Sequence, residues 1–259
     1  MIADLNQLLD ISKKAAVDAG KEILKIYRSD DFAVELKGDN SPLTRADKKA
    51  HEVIVEGLSS TDIPVLSEEG KDIPFETRKN WDYFWMVDPL DGTKEFVKRN
   101  GEFTVNIALI HENRSILGVV YAPVLNKLYF ASADSGAFLK SEDGLVQLNA
   151  QLFSMTDDQL NVVASRSHLN EATENFLSEL SKPSIVSMGS SLKFLLVAEG
   201  KAHLYPRYAP TMEWDTAAAQ IIVEEAGGKV IQEPSGNQVI YNKENLLNPY
   251  FLCRGKLDT

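Results

Sequence analysis

The residues with the clearest chemical potential in this 259-residue chain are acids that border apolar runs. Glu68-Glu69 follows Val65-Leu66-Ser67, Asp88 and Asp91 follow Trp85-Met86-Val87, and Asp215 precedes the run 216–226. Carboxylate and carbonyl oxygens suit hard divalent cations such as Mg2+, which leave room for water and phosphate. Two such ions can activate water on one side of a phosphoryl group and stabilise the leaving oxygen on the other. The turn at Asp91-Gly92 and the cap residue Thr93 add backbone N–H groups suited to an anion. Each acid alone also has an ordinary reading: Asp215 as a helix N-terminal charge, Asp91-Gly92 as a turn, Glu68-Glu69 as a solvated loop. Together they point to metal-assisted phosphoryl chemistry, with a cation-stabilised binding module as the non-enzymatic alternative. His51, His111, His168 and His203 show no zinc-ligand spacing. Ser190-Ser191-Leu192-Lys193 holds an S-x-x-K pattern without the partner motifs of an acyl-transfer serine, and no dinucleotide, P-loop or nucleophile-elbow motif is present.

The composition agrees with a small-molecule enzyme. A net charge of −11 argues against a nucleic-acid surface but permits a small anionic substrate where bound cations reverse the local field. Cys253 is the only cysteine, so a disulfide framework and a cysteine-rich metal site are excluded. No secretory pattern or membrane-length apolar run is seen, and Asn113-Arg114-Ser115 is read as a chance glycosylation match. A reducing, cytoplasmic setting is expected.

The elements that must position the acids are legible as periodicities. Apolar spacing predicts a helix over residues 3–28 and a second opening at Thr44-Arg45-Ala46-Asp47. A short strand at 63–67 leads into Glu68, and an apolar strand at 85–87 is expected to stop at Asp88-Pro89, because proline cannot donate to a ladder. Strands at 103–111, 116–121 and 128–131 form a meander, and the weakly periodic stretch 141–158 is taken as a domain seam. Strands and helices then alternate: 161–165, 171–180, 184–186, 191–199, 202–205, 215–226 and 229–232. The expected class is therefore an α+β half (1–155), with two helices and an antiparallel sheet, joined to a mixed α/β half (156–259).

Three stretches, Ser67-Glu68-Glu69, Val87-Asp88-Pro89-Leu90-Asp91-Gly92-Thr93 and Glu213-Trp214-Asp215-Thr216-Ala217-Ala218, resemble the signatures of the lithium-sensitive, magnesium-dependent inositol-monophosphatase superfamily. Residues 39–44, 91–96, 98–106, 165–168, 189–193 and 205–207 are similar to its CysQ-type 3′(2′),5′-bisphosphate nucleotidase branch. Lys94, where inositol phosphatases carry a second threonine, favours that branch.

The resemblance implies a layered αβαβα sandwich that removes the 3′-phosphate of adenosine 3′,5′-bisphosphate, and of 3′-phosphoadenylyl sulfate. An inositol monophosphate or sugar (bis)phosphate phosphatase is the alternative on the same scaffold. It implies two Mg2+ ions, or three. Glu68, Asp88 and the Leu90 carbonyl would hold one; Asp88, Asp91 and Asp215 would hold the second; Glu69 would reach the water or a third ion. Gly92 and Thr93 N–H groups would cradle the phosphate, and Thr93 Oγ, oriented by Asp47, would handle the attacking water; Asp47 also reads as a capping-box partner of Thr44. Ser165, His168, Gly189 and Lys193 would lie near the nucleoside or its other phosphate, with Arg207 as a further anion contact. A monomer or homodimer, with peripheral association with the inner membrane, is a family-level expectation.

Overall fold

The computed structural model describes residues 4–29, 35–36, 42–164 and 170–258. Helix α1 (Leu5–Tyr27) is followed by the short pair β1 (Glu35–Leu36) and β2 (Pro42–Leu43), then by α2 (Arg45–Leu58). Strand β3 (Val65–Ser67), helix α3 (Phe75–Arg78), strand β4 (Tyr83–Asp91) and helix α4 (Thr93–Val97) carry the central motif. A meander follows: β5 (Thr104–His111), β6 (Arg114–Ala122), β7 (Lys127–Ser132), β8 (Ala137–Ser141) and β9 (Gly144–Gln147). The remainder is β10 (Leu152–Phe153), β11 (Asn161–Ala164), α5 (Glu171–Ser178), β12 (Ser184–Ser187), α6 (Leu192–Ala198), β13 (Leu204–Arg207), α7 (Ala217–Glu225), β14 (Lys229–Gln232), β15 (Phe251–Arg254) and β16 (Lys256–Leu257).

A seven-stranded sheet in the order β3-β4-β5-β6-β7-β8-β9 is covered on both faces, and strand parity shows how. Trp85, Val87, Val105, Ile107, Leu109, Leu117 and Val119 point into a core shared with Leu8, Ala16, Ile23, Ala50 and Ile54 of α1 and α2. Their neighbours Phe84, Met86, Ala108, Ile110 and Val120 point the other way, into a core shared with α6 and α7. Covering both faces explains why these strands read as continuous apolar runs. Beyond α6 and α7 lies a five-stranded sheet, β12-β11-β13-β15-β14, and α5 closes its far side over Leu160, Val162 and Leu204. The layers are thus helix, sheet, helix, sheet, helix. The second sheet is mixed: β11 runs parallel to β12 and β13, while β15 is antiparallel to β13 and β14.

Two expectations are corrected. The strand does not end at Asp88: β4 continues through Pro89 to Asp91. Asp88 pairs with Asn106 and Asp91 with Thr104, so β4 advances three residues while β5 advances two. That β-bulge absorbs the residue without an N–H. The first sheet is not purely antiparallel, since β3 pairs with β4 in parallel, Ser67 beside Val87. Within the weakly periodic stretch 141–158, β9 forms the sheet edge and β10 pairs with β16.

Candidate active site

The parallel register of β3 and β4 delivers the first two acids to one place. The Glu68 N–H donates to the Val87 carbonyl at 3.1 Å, so the residue after β3 lies beside the residue before Asp88. Asp88 is 2% exposed, and its Oδ1 accepts the Leu90 N–H at 3.0 Å, which holds the bulge. The Leu90 side chain is buried in the helix-facing core, and its carbonyl oxygen lies 3.3 Å from Thr93 Oγ1.

Asp91 is clamped by a segment a hundred residues away. Its Oδ2 lies 2.7 Å from Ser190 Oγ and 2.6 Å from both Ser191 N and Ser191 Oγ. Ser191 Oγ also lies 3.0 Å from the Asp215 carbonyl oxygen and accepts from Asn106 Nδ2 at 2.8 Å. Thr104 Oγ1 donates to Asn106 Oδ1 at 3.0 Å, completing a polar net across β5. Ser190 takes a left-handed backbone (φ 54), strain that this net over-determines. Asp215 ends a one-turn 3-10 helix (Glu213–Asp215), where its Oδ2 accepts the Met212 N–H at 2.9 Å. Glu213, fully buried beneath it, accepts from the N–H groups of Asn242 (2.6 Å) and Lys243 (3.0 Å) and from Lys243 Nζ (2.5 Å).

The electrostatics show how close these carboxylates stand. Burial first, then the charges of Glu68, Asp91 and Asp215, push Asp88 well above the usual carboxylate range. Asp215 is pushed up to about 8, by burial and then by Asp91. Sites that raise one another so far demand positive charge when all are ionised. The donors are oxygen only, so their chemistry fits Mg2+ rather than zinc. Among the described residues, no three His, Cys, Asp or Glu side chains already stand around one point in ligand geometry. Several of these oxygens instead face hydroxyl and amide donors, as above.

On the other side of Thr93, Asp47 contacts both Thr44 and Thr93. Its Oδ2 accepts from Thr44 N (2.8 Å) and Thr44 Oγ1 (2.5 Å), closing the capping box of α2. Its Oδ1 accepts from Thr93 Oγ1 at 3.1 Å. Burial raises its pKa, against the Thr44 hydrogen bonds, with the Glu69 charge adding to the rise. One helical turn on, His51 Nδ1 lies 2.9 Å from Ser67 Oγ, tying α2 to the end of β3.

A cavity of about 610 Å³ opens beside Asp91 and Asp215, lined further by Gly92, Gly189, Lys193 and Arg207. Lys193 Nζ stands 5.7 Å from the Tyr205 ring centre. Burial lowers its pKa against the attraction of Asp91, and Arg207 lowers it further. Arg207 Nε is buried without a hydrogen-bond partner among the described residues. A Cβ on Gly189 would lie 2.9 Å from the Glu102 carbonyl oxygen, so only glycine fits against that wall. Ser165 and His168 lie outside the described residues; Ala164 and Asn170, which flank their segment, line the cavity. Thr104, Asn106, Ser190 and Ser191 carry no individual role in the sequence, although they fall in the motif stretches 98–106 and 189–193; a polar Thr-x-Asn on one face of an otherwise apolar strand is a further signal.

The chain matches the inositol monophosphatase family over residues 4–252. It is 48% identical over 250 residues to the 3′(2′),5′-bisphosphate nucleotidase CysQ of Shigella flexneri, covering 94% of this chain and 98% of that one. The protein of the same name from Escherichia coli K12 is 48% identical over 249 residues, with the same coverage of both chains. The crystal structure of CysQ from Bacteroides thetaiotaomicron, described as a bacterial member of the inositol monophosphatase family, superposes with a TM-score of 0.87 at 45% identity, covering 97% of this chain and 98% of that one.

Proposed function

The chain belongs to the inositol monophosphatase family, and from that premise we propose that it is a 3′(2′),5′-bisphosphate nucleotidase. It hydrolyses the 3′-phosphate of adenosine 3′,5′-bisphosphate to give AMP and phosphate, and that of 3′-phosphoadenylyl sulfate to give adenylyl sulfate. The observation that carries this reading is the 48% identity to named bisphosphate nucleotidases across nearly the whole of both chains. The buried acid cluster beside a cavity that also presents Lys193 and Arg207 supports it.

Glu68, Asp88 and the Leu90 carbonyl would hold one Mg2+, and Asp88, Asp91 and Asp215 a second, with Glu69 serving a third or the water. When bound, such ions supply charge stabilisation at a phosphoryl oxygen and acidify water. The remaining work belongs to the chain. The hydrogen of Thr93 Oγ1 points to Asp47 Oδ1, which leaves the threonine lone pairs to accept a proton from the attacking water. As that proton arrives, the Thr93 proton passes to Asp47, whose raised pKa suits a general base. Gly92, held left-handed at φ 93, sets the Gly92 and Thr93 N–H groups toward the phosphate. Lys193 and Arg207 hold the second phosphate, with Ser165, His168 and Gly189 along the nucleoside. In this arrangement residues 1–155 form the catalytic half and 156–259 the substrate half that lends Asp215.

The expected setting is the cytoplasm, in sulfur assimilation, as a monomer or homodimer, with lithium as an inhibitor. Among the described residues no helix is long and apolar enough to cross a membrane. Phosphate release by chelator-treated protein, with and without Mg2+, from adenosine 3′,5′-bisphosphate and from inositol 1-phosphate tests the reading. Metal-dependent release, faster from the nucleotide, is expected. Faster turnover of inositol phosphate would overturn the substrate, and no metal-dependent release would overturn the enzyme.

A further inference from the structure

The cavity wall carries charges of both signs, among them Asp91, Glu95, Lys98, Lys193 and Arg207. Of the aromatic residues in the same lining, Phe194 and Tyr205 are buried, which leaves Tyr208 as the ring a ligand could reach. Its ring is partly exposed and is held from two sides. Phe176 of α5 lies 6.0 Å away at 58°, and Tyr250 lies 6.0 Å away at 88°. Its backbone is fixed as well. Asn170, the cap of α5, accepts from Thr173 N (3.0 Å) and Thr173 Oγ1 (2.6 Å), and its Nδ2 donates to the Tyr208 carbonyl. On the preceding residue, an Arg207 guanidinium N–H donates to the Pro210 carbonyl at 3.1 Å, closing the turn that presents Tyr208.

A pre-set aromatic ring beside two cations matches a ligand that carries both an anion and a flat π-system. Polyol phosphates offer such a ring only hydroxyl and C–H groups and no flat π-surface, whereas any nucleobase offers a face. We propose that Tyr208 is the stacking surface for the base of the substrate, and that it makes this site select nucleotides over base-free phosphate esters. This rests on the nucleotidase reading above and adds the residue that reads the base.

The experiment compares affinities for AMP and for ribose 5-phosphate, which differ by the base alone, measured by calorimetry on wild type, Tyr208→Phe and Tyr208→Leu. Hydrolysis of adenosine 3′,5′-bisphosphate by each is measured alongside. Wild type and Tyr208→Phe should share the same preference for AMP, and Tyr208→Leu should lose about tenfold of it, within the range of one base–aromatic stack. The leucine variant should also raise KM for the bisphosphate more than it lowers kcat. Should leucine not support folding, Tyr208→Gln gives the same comparison. An unchanged AMP preference in a folded ring-less variant that still hydrolyses the nucleotide overturns the role of Tyr208 alone. Failure of the wild type to hydrolyse the bisphosphate overturns the nucleotidase reading itself.

Discussion

At the scale of single residues, Asp91 carries the most connections. It takes donors from Ser190, Ser191 and Asn106 through one oxygen, Oδ2. Asp91→Asn removes one of the charges that gather cations and places an NH2 group where hydroxyls now donate. At millimolar Mg2+, kcat should fall by at least about 100-fold, in line with the loss of a principal electrostatic group. Wild-type kinetics for that variant would exclude Asp91 from the metal set. Lys193 should behave differently, since its proposed contact is with the part of the substrate that does not react. Lys193→Ala should raise KM for the nucleotide with kcat nearly unchanged, the pattern of lost uniform binding. A fall in kcat alone would place Lys193 elsewhere in the mechanism.

At the scale of elements, the site depends on how closely α7 sits on the central sheet, because Asp215 enters just before that helix. Gly118 of β6 lies against α7, and a Cβ there would fall 2.2 Å from the Ala218 carbonyl oxygen. The obstacle is backbone, so α7 must move as a body. Gly118→Ala should therefore cost about 1–3 kcal/mol of stability, as overpacking does. Residual activity should fall further than the folded fraction, because Asp215 moves with the helix. Chemical denaturation alongside kcat measured on the folded protein checks both, and an unchanged melting midpoint would show that the layer can give way. The β3–β4 pairing is the other element-scale device. Parallel register, not any local signal, puts Glu68 beside Asp88.

At the scale of the whole molecule, His203 ties the second sheet together and gives it a pH dependence. Its Nδ1 accepts the Asn161 N–H at 2.8 Å, its backbone N–H donates to the Asn161 carbonyl at 2.9 Å, and its ring meets Phe153 edge-on at 5.3 Å. Burial holds its pKa below the ordinary 6.5. The unfolded chain therefore binds this proton more readily than the folded one. Stability from His203 is fully present above pH 6.5 and is lost as pH falls through the lowered value. Between pH 7.5 and 5.5 the melting temperature should drop more steeply for wild type than for His203→Gln, and equal slopes would remove His203 as the cause.

Local pattern determined a good deal here. The 3.6-residue period of α1 and α2, the apolar runs of β5 and β6, and the acids at strand ends needed only nearest-neighbour chemistry to be read. Asp47 could be nominated as a cap from Thr44 alone, three residues away. The tertiary structure decided the rest, because hydrogen bonds between distant residues leave no periodic trace. The Ser190–Ser191 clamp on Asp91, the Asn106 and Thr104 net and the Glu213 anchor under Asp215 are of that kind. So is the passage of β4 through Pro89: proline forbids a ladder bond, but only the β5 partner shows that a bulge accommodates it. The acids at strand and helix ends are legible in sequence, while their mutual burial and the cavity beside them depend on which strands and helices meet.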